Sequence, residues 1–209
     1  MLKSLKFYNP DDLFIVSDTH IGHNKEFLWG KRGFKSVGEH DETIIKNWNS
    51  KVRPTSTVIH LGDFCLNYTV DKLKDTLFKL NGHIIYLFGN HNSCIKELYY
   101  ETLPNKEIEI YPLTWKTKLT FVGNILNFYV GKQFFVASHF PLKIWDYQNK
   151  NSVQLSGHSH AGDLTRNPDC FTEGKCLDCG IENFPYPMSI TEIMLIINKK
   201  QYKKVDLHH

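Results

Sequence analysis

Arginine is scarce in this chain: of 25 basic Lys and Arg residues in 209, only Arg32, Arg53 and Arg166 are arginine. Any planar, bidentate clamp on a phosphate must therefore come from these three. The formal net charge of +3 is too small to indicate nucleic acid, and there is no Arg-rich run to track a phosphate backbone. Long apolar runs are lacking too, which excludes a spanning helix. Met1-Leu2-Lys3-Ser4-Leu5-Lys6 has neither the apolar core nor the cleavage site of a signal peptide. A cytoplasmic protein with no membrane partner is expected. The five cysteines, odd in number and irregular in spacing, make a poor disulfide framework. Cys170, Cys176 and Cys179 include a Cys-x-x-Cys pair but lack a fourth ligand, so buried free thiols are expected there rather than structural zinc.

No repeat, low-complexity segment or Pro/Gly/Ser-rich linker divides the chain, and its 41% hydrophobic and 22% charged content is that of an ordinary globular protein. A single domain over residues 1–207 is expected, with His208 and His209 read as a tag remnant. What is present in quantity is a recurring pattern. Short β-branched and aromatic runs each stop at a polar cluster. Leu13-Phe14-Ile15-Val16 leads into Ser17-Asp18-Thr19-His20, and Val58-Ile59-His60-Leu61 into Gly62-Asp63. Ile84 to Phe88 leads into Gly89-Asn90-His91, Phe134 to Ala137 into Ser138-His139, and Val153 to Ser156 into Gly157-His158-Ser159-His160.

Helical patterns separate the first strands. Ser36 has capping-box spacing to Glu39, and Ile44, Ile45, Trp48 and Val52 then share a face. Thr69 can cap a second helix with Val70, Leu73, Leu77 and Leu80 inward, and Ser93 a third carrying Ile95, Leu98 and Tyr99. From about Ile108 the texture turns to strands. Val122-Gly123-Asn124-Ile125 and Val130-Gly131-Lys132-Gln133 read as hairpin turns, and Ile190 to Ile197 as the last strand. Strand–helix alternation makes the first strands parallel, so their carboxyl ends share one edge, where open α/β sheets place ligands.

Taken singly, each polar cluster is unremarkable: Gly-Asp after a strand is usually a turn. Taken together, five strand ends carry Asp18/His20, Asp63, Asn90/His91, His139 and His158/His160, the residue types that bind transition metals. Period-two alternation would place Asp18 and His20 on one side of an extended segment, and His158 and His160 likewise.

This ordered set, Asp18-Thr19-His20, Gly62-Asp63, Gly89-Asn90-His91-Asn92, His139 and Gly157-His158-Ser159-His160, resembles the motifs of the calcineurin-like metallophosphoesterase superfamily. The resemblance runs from about Leu13 to Ile197. Its short segments, Ser17 to His23 and Ser138 to Leu142, look like those of small bacterial and phage members. The resemblance implies an α/β fold, a four-layer αββα sandwich of two mixed sheets with the metal site at strand C-terminal ends. It also implies two divalent transition metal ions. Asp18, His20 and His160 would hold one, Asn90, His139 and His158 the other, with Asp63 bridging. Manganese is the first choice, with Fe, Zn, Co or Ni as alternatives; mixed imidazole and carboxylate ligation suits these better than calcium.

The implied activity is hydrolysis of a phosphate monoester or diester by a metal-bound hydroxide, with His91 as general acid. The sequence departs from the family where Asn92 replaces the acid that would orient His91. It also lacks the Asp and Arg that the protein-phosphatase branch carries after Gly62-Asp63. Arg32 and His23 are candidate substrate-binding residues; Arg166 is a weaker one and Arg53 reads as structural. His60 is expected in the core or behind the site, and His83 outside it. Trp29, Phe34, Trp145 and Tyr147 flank the motif loops, with packing favoured over base stacking. The expected partner is a small phosphorylated molecule, with nucleotide-like chemistry among the candidates. A nuclease acting on DNA or RNA is the alternative enzyme, unsupported by charge, and a non-catalytic binding protein of the same fold is a third reading. Oligomeric state is left open.

Overall fold

The computed structural model describes residues 4–102, 112–113, 119–160 and 174–201. Elements are numbered along the chain. Four parallel strands form the centre of the first sheet: β2 (Leu13–Val16), β3 (Thr57–His60), β4 (His83–Leu87) and β6 (Leu119–Gly123), adjacent in that order. Antiparallel edge strands flank them, β11 (Met188–Ser189) beside β2 and β5 (Pro112–Leu113) beside β6. The second sheet runs β1 (Leu5–Phe7), β7 (Ile125–Val130), β8 (Gln133–Ser138), β9 (Val153–Ser156) and β10 (Cys176–Asp178), parallel throughout except for the β7–β8 hairpin. The fold is mixed α/β with two mixed sheets and several helices.

Helices α2 and α3 start where a side chain satisfies a free N–H group of the first turn. Ser36 accepts from the Glu39 N–H at 3.2 Å ahead of α2 (Val37–Lys51), and Thr69 from the Lys72 N–H at 3.3 Å ahead of α3 (Val70–Lys79). A short α1 (Glu26–Trp29) precedes them and α4 (Ser93–Thr102) follows β4.

Alternation along the central strands decides the packing. Phe14, Val16, Val58, Ile84 and Tyr86 face α2, α3 and α4 through Trp48, Leu73 and Ile95. Leu13, Ile15, Ile59 and Ile85 face Phe128, Phe135 and Leu155 of the second sheet. Each side chain buried from water in these layers contributes about 1.5–3 kcal/mol. The far face of the second sheet packs Phe134 and Val136 under Trp145, in the segment that includes a single 3₁₀ turn at Gln148–Lys150.

Three expectations need correction. Residues Ile190–Ile197 form a helix, α5, not a strand. Ser189 and Glu192 make a reciprocal capping box, and Ile190, Ile193 and Ile197 are buried while Leu195 is 63% exposed. Helix-period burial and the cap outweigh the β preference of isoleucine. Gly123-Asn124 is not a hairpin turn: β6 lies in the first sheet and β7 in the second, so the chain changes sheets there. The expected hairpin at Gly131-Lys132 does form, with Val130 opposite Gln133. Cys65 and Cys94, 29 residues apart, are joined as a disulfide, a pairing that no spacing signalled. Cys176 and Cys179 are free and buried, while Cys170, Arg166, His208 and His209 lie outside the described residues. Among the described residues no helix is long and apolar enough to cross a membrane.

Candidate metal centre

The carboxyl ends of β2, β3 and β4 in the first sheet, and of β8 and β9 in the second, bring the five motif loops together. Backbone hydrogen bonds knit them: Asp18 N–H to Gly62 O at 3.1 Å, His20 N–H to Asp63 O at 3.0 Å, and Gly157 N–H to His139 O at 3.0 Å. The pairs Asp18/His20 and His158/His160 do converge, though not from extended backbone as alternation suggested. Asp18, His20, Asp63, His158 and His160 all have left-handed φ values, between 48° and 71°. Such backbone costs roughly 1–2 kcal/mol per non-glycine residue and concentrates at functional sites. Two motif glycines are required by closeness. A Cβ on Gly89 would stand 2.2 Å from Asp63 Oδ1, and one on Gly157 2.3 Å from Asp18 Oδ2.

The donor atoms fall into two neighbouring groups, with Asp18 within reach of both. In the first, His20 Nε2 lies 3.2 Å from His160 Nε2, and each is 3.8 Å from Asp18 Oδ1. In the second, Asn90 Oδ1 lies 2.7 Å from His139 Nε2 and 3.0 Å from His158 Nδ1, with the two histidine nitrogens 3.2 Å apart. Asp63 Oδ2 sits between them, 3.7 Å from His20 Nε2 and 3.5 Å from His139 Nε2. Donors held about 2.0–2.2 Å from one ion at ordinary angles stand roughly 3–3.5 Å apart, close to this spacing.

The residues fit cations. Asp18 Oδ1 is buried without a hydrogen-bond partner among protein atoms. Burial pushes the Asp18 carboxyl up, but the imidazoles of His20, His139 and His160 around it outweigh that, leaving a net downward shift. Burial pulls His20 and His158 below the usual histidine range, which keeps their lone pairs free. His139 Nδ1 lies 3.0 Å from Leu61 O, so its N–H is given there. The opposite nitrogen, Nε2, then faces Asn90 Oδ1 and His158 Nδ1. Converging lone pairs repel unless a cation sits among them.

Around the ligands a further layer sets orientation. Asp18 Oδ2 accepts from the His158 N–H at 2.9 Å, and Asp63 Oδ1 from the His91 N–H at 2.8 Å, leaving the other oxygens facing inward. The Ser159 hydroxyl donates to Asp178 Oδ2, and burial pushes the Asp178 carboxyl up. His60 is fully enclosed between Trp48 and Tyr86, and burial takes its imidazole down to about 3. The Thr19 hydroxyl donates to Phe64 O at 2.7 Å, so it accepts from His60 Nε2–H at 3.1 Å. His60 therefore braces the residue between Asp18 and His20.

Arg32, a candidate for substrate contact, has no free donor in this structure. Its side chain is 6% exposed and every N–H is taken: by Glu182 Oε1 at 2.9 and 2.5 Å, Asp18 O at 2.8 Å, Thr19 O at 3.1 Å and His40 Nε2 at 2.7 Å. His23 does reach the centre, its ring 5.8 Å from that of His20 and its Nδ1 buried without a partner. Burial first, then the charges of His20, His91 and Arg32, bring it down to about 4. His91 is exposed, its ring 5.7 Å from His20. Asn92 turns inward instead of toward His91: its Oδ1 accepts from Tyr86 OH at 2.8 Å and Gly89 N–H at 3.1 Å. Of the remaining candidates, Arg53 pairs with Asp12, Trp145 donates to Ser152, Phe34 packs on His40 and Tyr147 on Phe134. His83 bonds Thr120, away from the centre. The sequence reading missed Glu182, Asp178 and His40, which sit in no motif.

No family model matches the chain. Over 189 residues it is 28% identical to the uncharacterized protein MJ1445 of Methanocaldococcus jannaschii, covering 90% of this chain and 92% of that protein. The crystal structure of the protein of unknown function AQ665 from Aquifex aeolicus superposes with a TM-score of 0.61 at 20% identity, covering 88% of this chain and 98% of that one. The structural likeness shows a shared mixed α/β fold.

Proposed function

We propose that this protein is a dinuclear metal-dependent phosphoesterase that hydrolyses a phosphate monoester or diester. One observation carries the reading: Asp63 Oδ2 lies between His20 and His139, which belong to two neighbouring donor clusters, Asp18/His20/His160 and Asn90/His139/His158, with Asp18 in reach of both. The metal site at strand carboxyl ends and the four-layer sandwich belong to the same reading. Helices α2 to α4 make one outer layer; among the described residues, the segment under Trp145 covers the opposite face.

When bound, two divalent ions supply positive charge to the phosphoryl oxygens and acidify a water molecule. The chain does the rest. Asp63, oriented by the His91 N–H, would help to hold both ions. The His91 imidazole, exposed beside His20, gives a proton to the leaving oxygen. Arg32 having no free donor, the phosphate charge falls to the ions and histidines. Two exposed aromatics flank the centre: Phe27, 62% exposed, its ring 5.5 Å from His23, and Phe140, 47% exposed, its ring 4.5 Å from His158. They favour an ester bearing a flat organic group, nucleotide-like in chemistry. The test is to remove divalent ions with a chelator, restore them with Mn²⁺, and follow bis(4-nitrophenyl) phosphate and 4-nitrophenyl phosphate. Loss and recovery of hydrolysis with metal are expected. A protein that binds no divalent ion, or is equally active after chelation, overturns the reading.

A further inference from the structure

Glu182 and Arg32 form a buried arm behind one ligand. His160 Nδ1 lies 2.7 Å from Glu182 Oε1, so the opposite nitrogen, Nε2, is the one aimed at His20 and Asp18. The His160 side chain is 34% exposed, and among the described residues no other hydrogen bond to its Nδ1 fixes the ring. Glu182 is in turn gripped by Arg32 through Nε and Nη2. Arg32 is not free to wander, because its remaining donors end on the carbonyls of Asp18 and Thr19.

The arm continues into α2. Arginine only donates, so His40 Nε2 accepts and His40 Nδ1–H donates to Asp41 Oδ1 at 2.8 Å. Asp41 accepts the Gly22 N–H at 2.9 and 3.1 Å. One assembly therefore ties the first motif loop, the start of α2, the loop after β10 and His160. We propose that Glu182, held by Arg32, is the positioning residue for the metal position formed by Asp18, His20 and His160. This rests on the metal reading above.

The chemistry explains why a carboxylate belongs there. A carboxylate accepting from the far N–H of a ligating imidazole fixes its tautomer and raises its basicity, and losing that partner typically costs about 10–100-fold in metal affinity. Among the described residues the second position has no such arm: His139 is backed there by the Leu61 carbonyl. The effect of Glu182 is therefore confined to one ion of two.

The experiment is a Co²⁺ titration of metal-free protein, read by visible absorption and calorimetry, with the melting temperature of each metal-free variant as a control. Wild type should take up two equivalents. Glu182→Gln should weaken one equivalent by about 10–100-fold and alter its absorption bands while leaving the other unchanged. Glu182→Asp, which keeps the charge at shorter reach, should recover part of the loss. Arg32→Lys, which cannot hold Glu182 with a fork, should weaken the same equivalent less, and it carries the test if Glu182→Gln does not fold. Two equivalents in wild type with both unchanged in the folded variants would overturn the positioning role alone. Equal weakening of both equivalents together with a fall in melting temperature would show a merely structural ion pair. Wild type that binds no cobalt would overturn the metal reading and this inference with it.

Discussion

The two halves of the centre are built from similar ligands on different supports. The Asp18/His20/His160 half has its own carboxylate, an ion-pair arm behind His160, and His60 bracing its loop through Thr19. The Asn90/His139/His158 half has a neutral amide in place of the carboxylate, and its histidine leans on a backbone carbonyl. The difference teaches that the supports differ more than the charge does, because Asp18 lies within donor range of Asp63 and His139 as well as of His20 and His160.

The largest test of that comparison is the shared residue. Asp63→Asn should lower metal uptake in both halves and bring turnover down by more than the about 10²–10⁴-fold that loss of a general acid costs. A variant that keeps two ions and most of its activity would break the comparison at its centre. Next comes His91, which belongs to neither half. His91→Gln should leave both ions bound and slow alkyl esters by about 10²–10⁴-fold, while nitrophenyl esters, whose leaving group needs little protonation, slow far less. His139→Gln should slow both substrate classes alike and lose metal. Metal content and the two rates, measured on each variant, separate a proton donor from a ligand.

Smaller effects should sharpen the contrast. Gly157→Ala would drive a Cβ toward Ser17 Oγ and Asp18 Oδ2, so metal affinity in the first half should fall about 10–100-fold with the second less affected. Calorimetry with Mn²⁺ reads this as loss of one binding event. The brace under the first half should also be sensitive to acid. His60 is taken down to about 3 in the folded protein against about 6.5 unfolded, so between these values the unfolded chain binds more protons. Its contribution is intact above pH 6.5 and is lost as the pH falls, by about 2 kcal/mol between pH 6.5 and 5. Melting curves of the chelated protein should show this slope, and His60→Gln should flatten it. Last, Phe140→Ala should raise KM for aryl diesters roughly two- to tenfold with metal content unchanged. An unchanged KM would remove Phe140 from the substrate face.

Much of this arrangement was legible because strand ends announce themselves. Asp18, Asp63, Asn90, His139 and His158 each follow a short apolar run, and runs of Val, Ile and Phe stop where the sheet stops. Ser36 and Thr69 marked their helices because a capping side chain works within three residues. The same local signal stands at Ser189 and Glu192, but a run of isoleucines reads as a strand, and only the cap and helix-period burial reveal α5. The Gly123-Asn124 turn was misread for another reason: a turn's residues specify a bend, not which sheet receives the next strand.

By itself the sequence determined the order of the ligand clusters, the parallel strands that carry them and the faces those strands bury, because all of these follow from periods of two and 3.6 residues. Only the tertiary structure decided the backbone at the ligands, where left-handed residues replace the expected extended segments so that Asp18 with His20, and His158 with His160, converge. It also decided the fate of Arg32. An arginine soon after the first motif is a candidate for substrate contact, yet its partners are His40, the carbonyls of Asp18 and Thr19, and Glu182, 150 residues further along the chain. Hydrogen bonds of that span leave no periodic trace, since nothing but the folded geometry brings the two groups within reach.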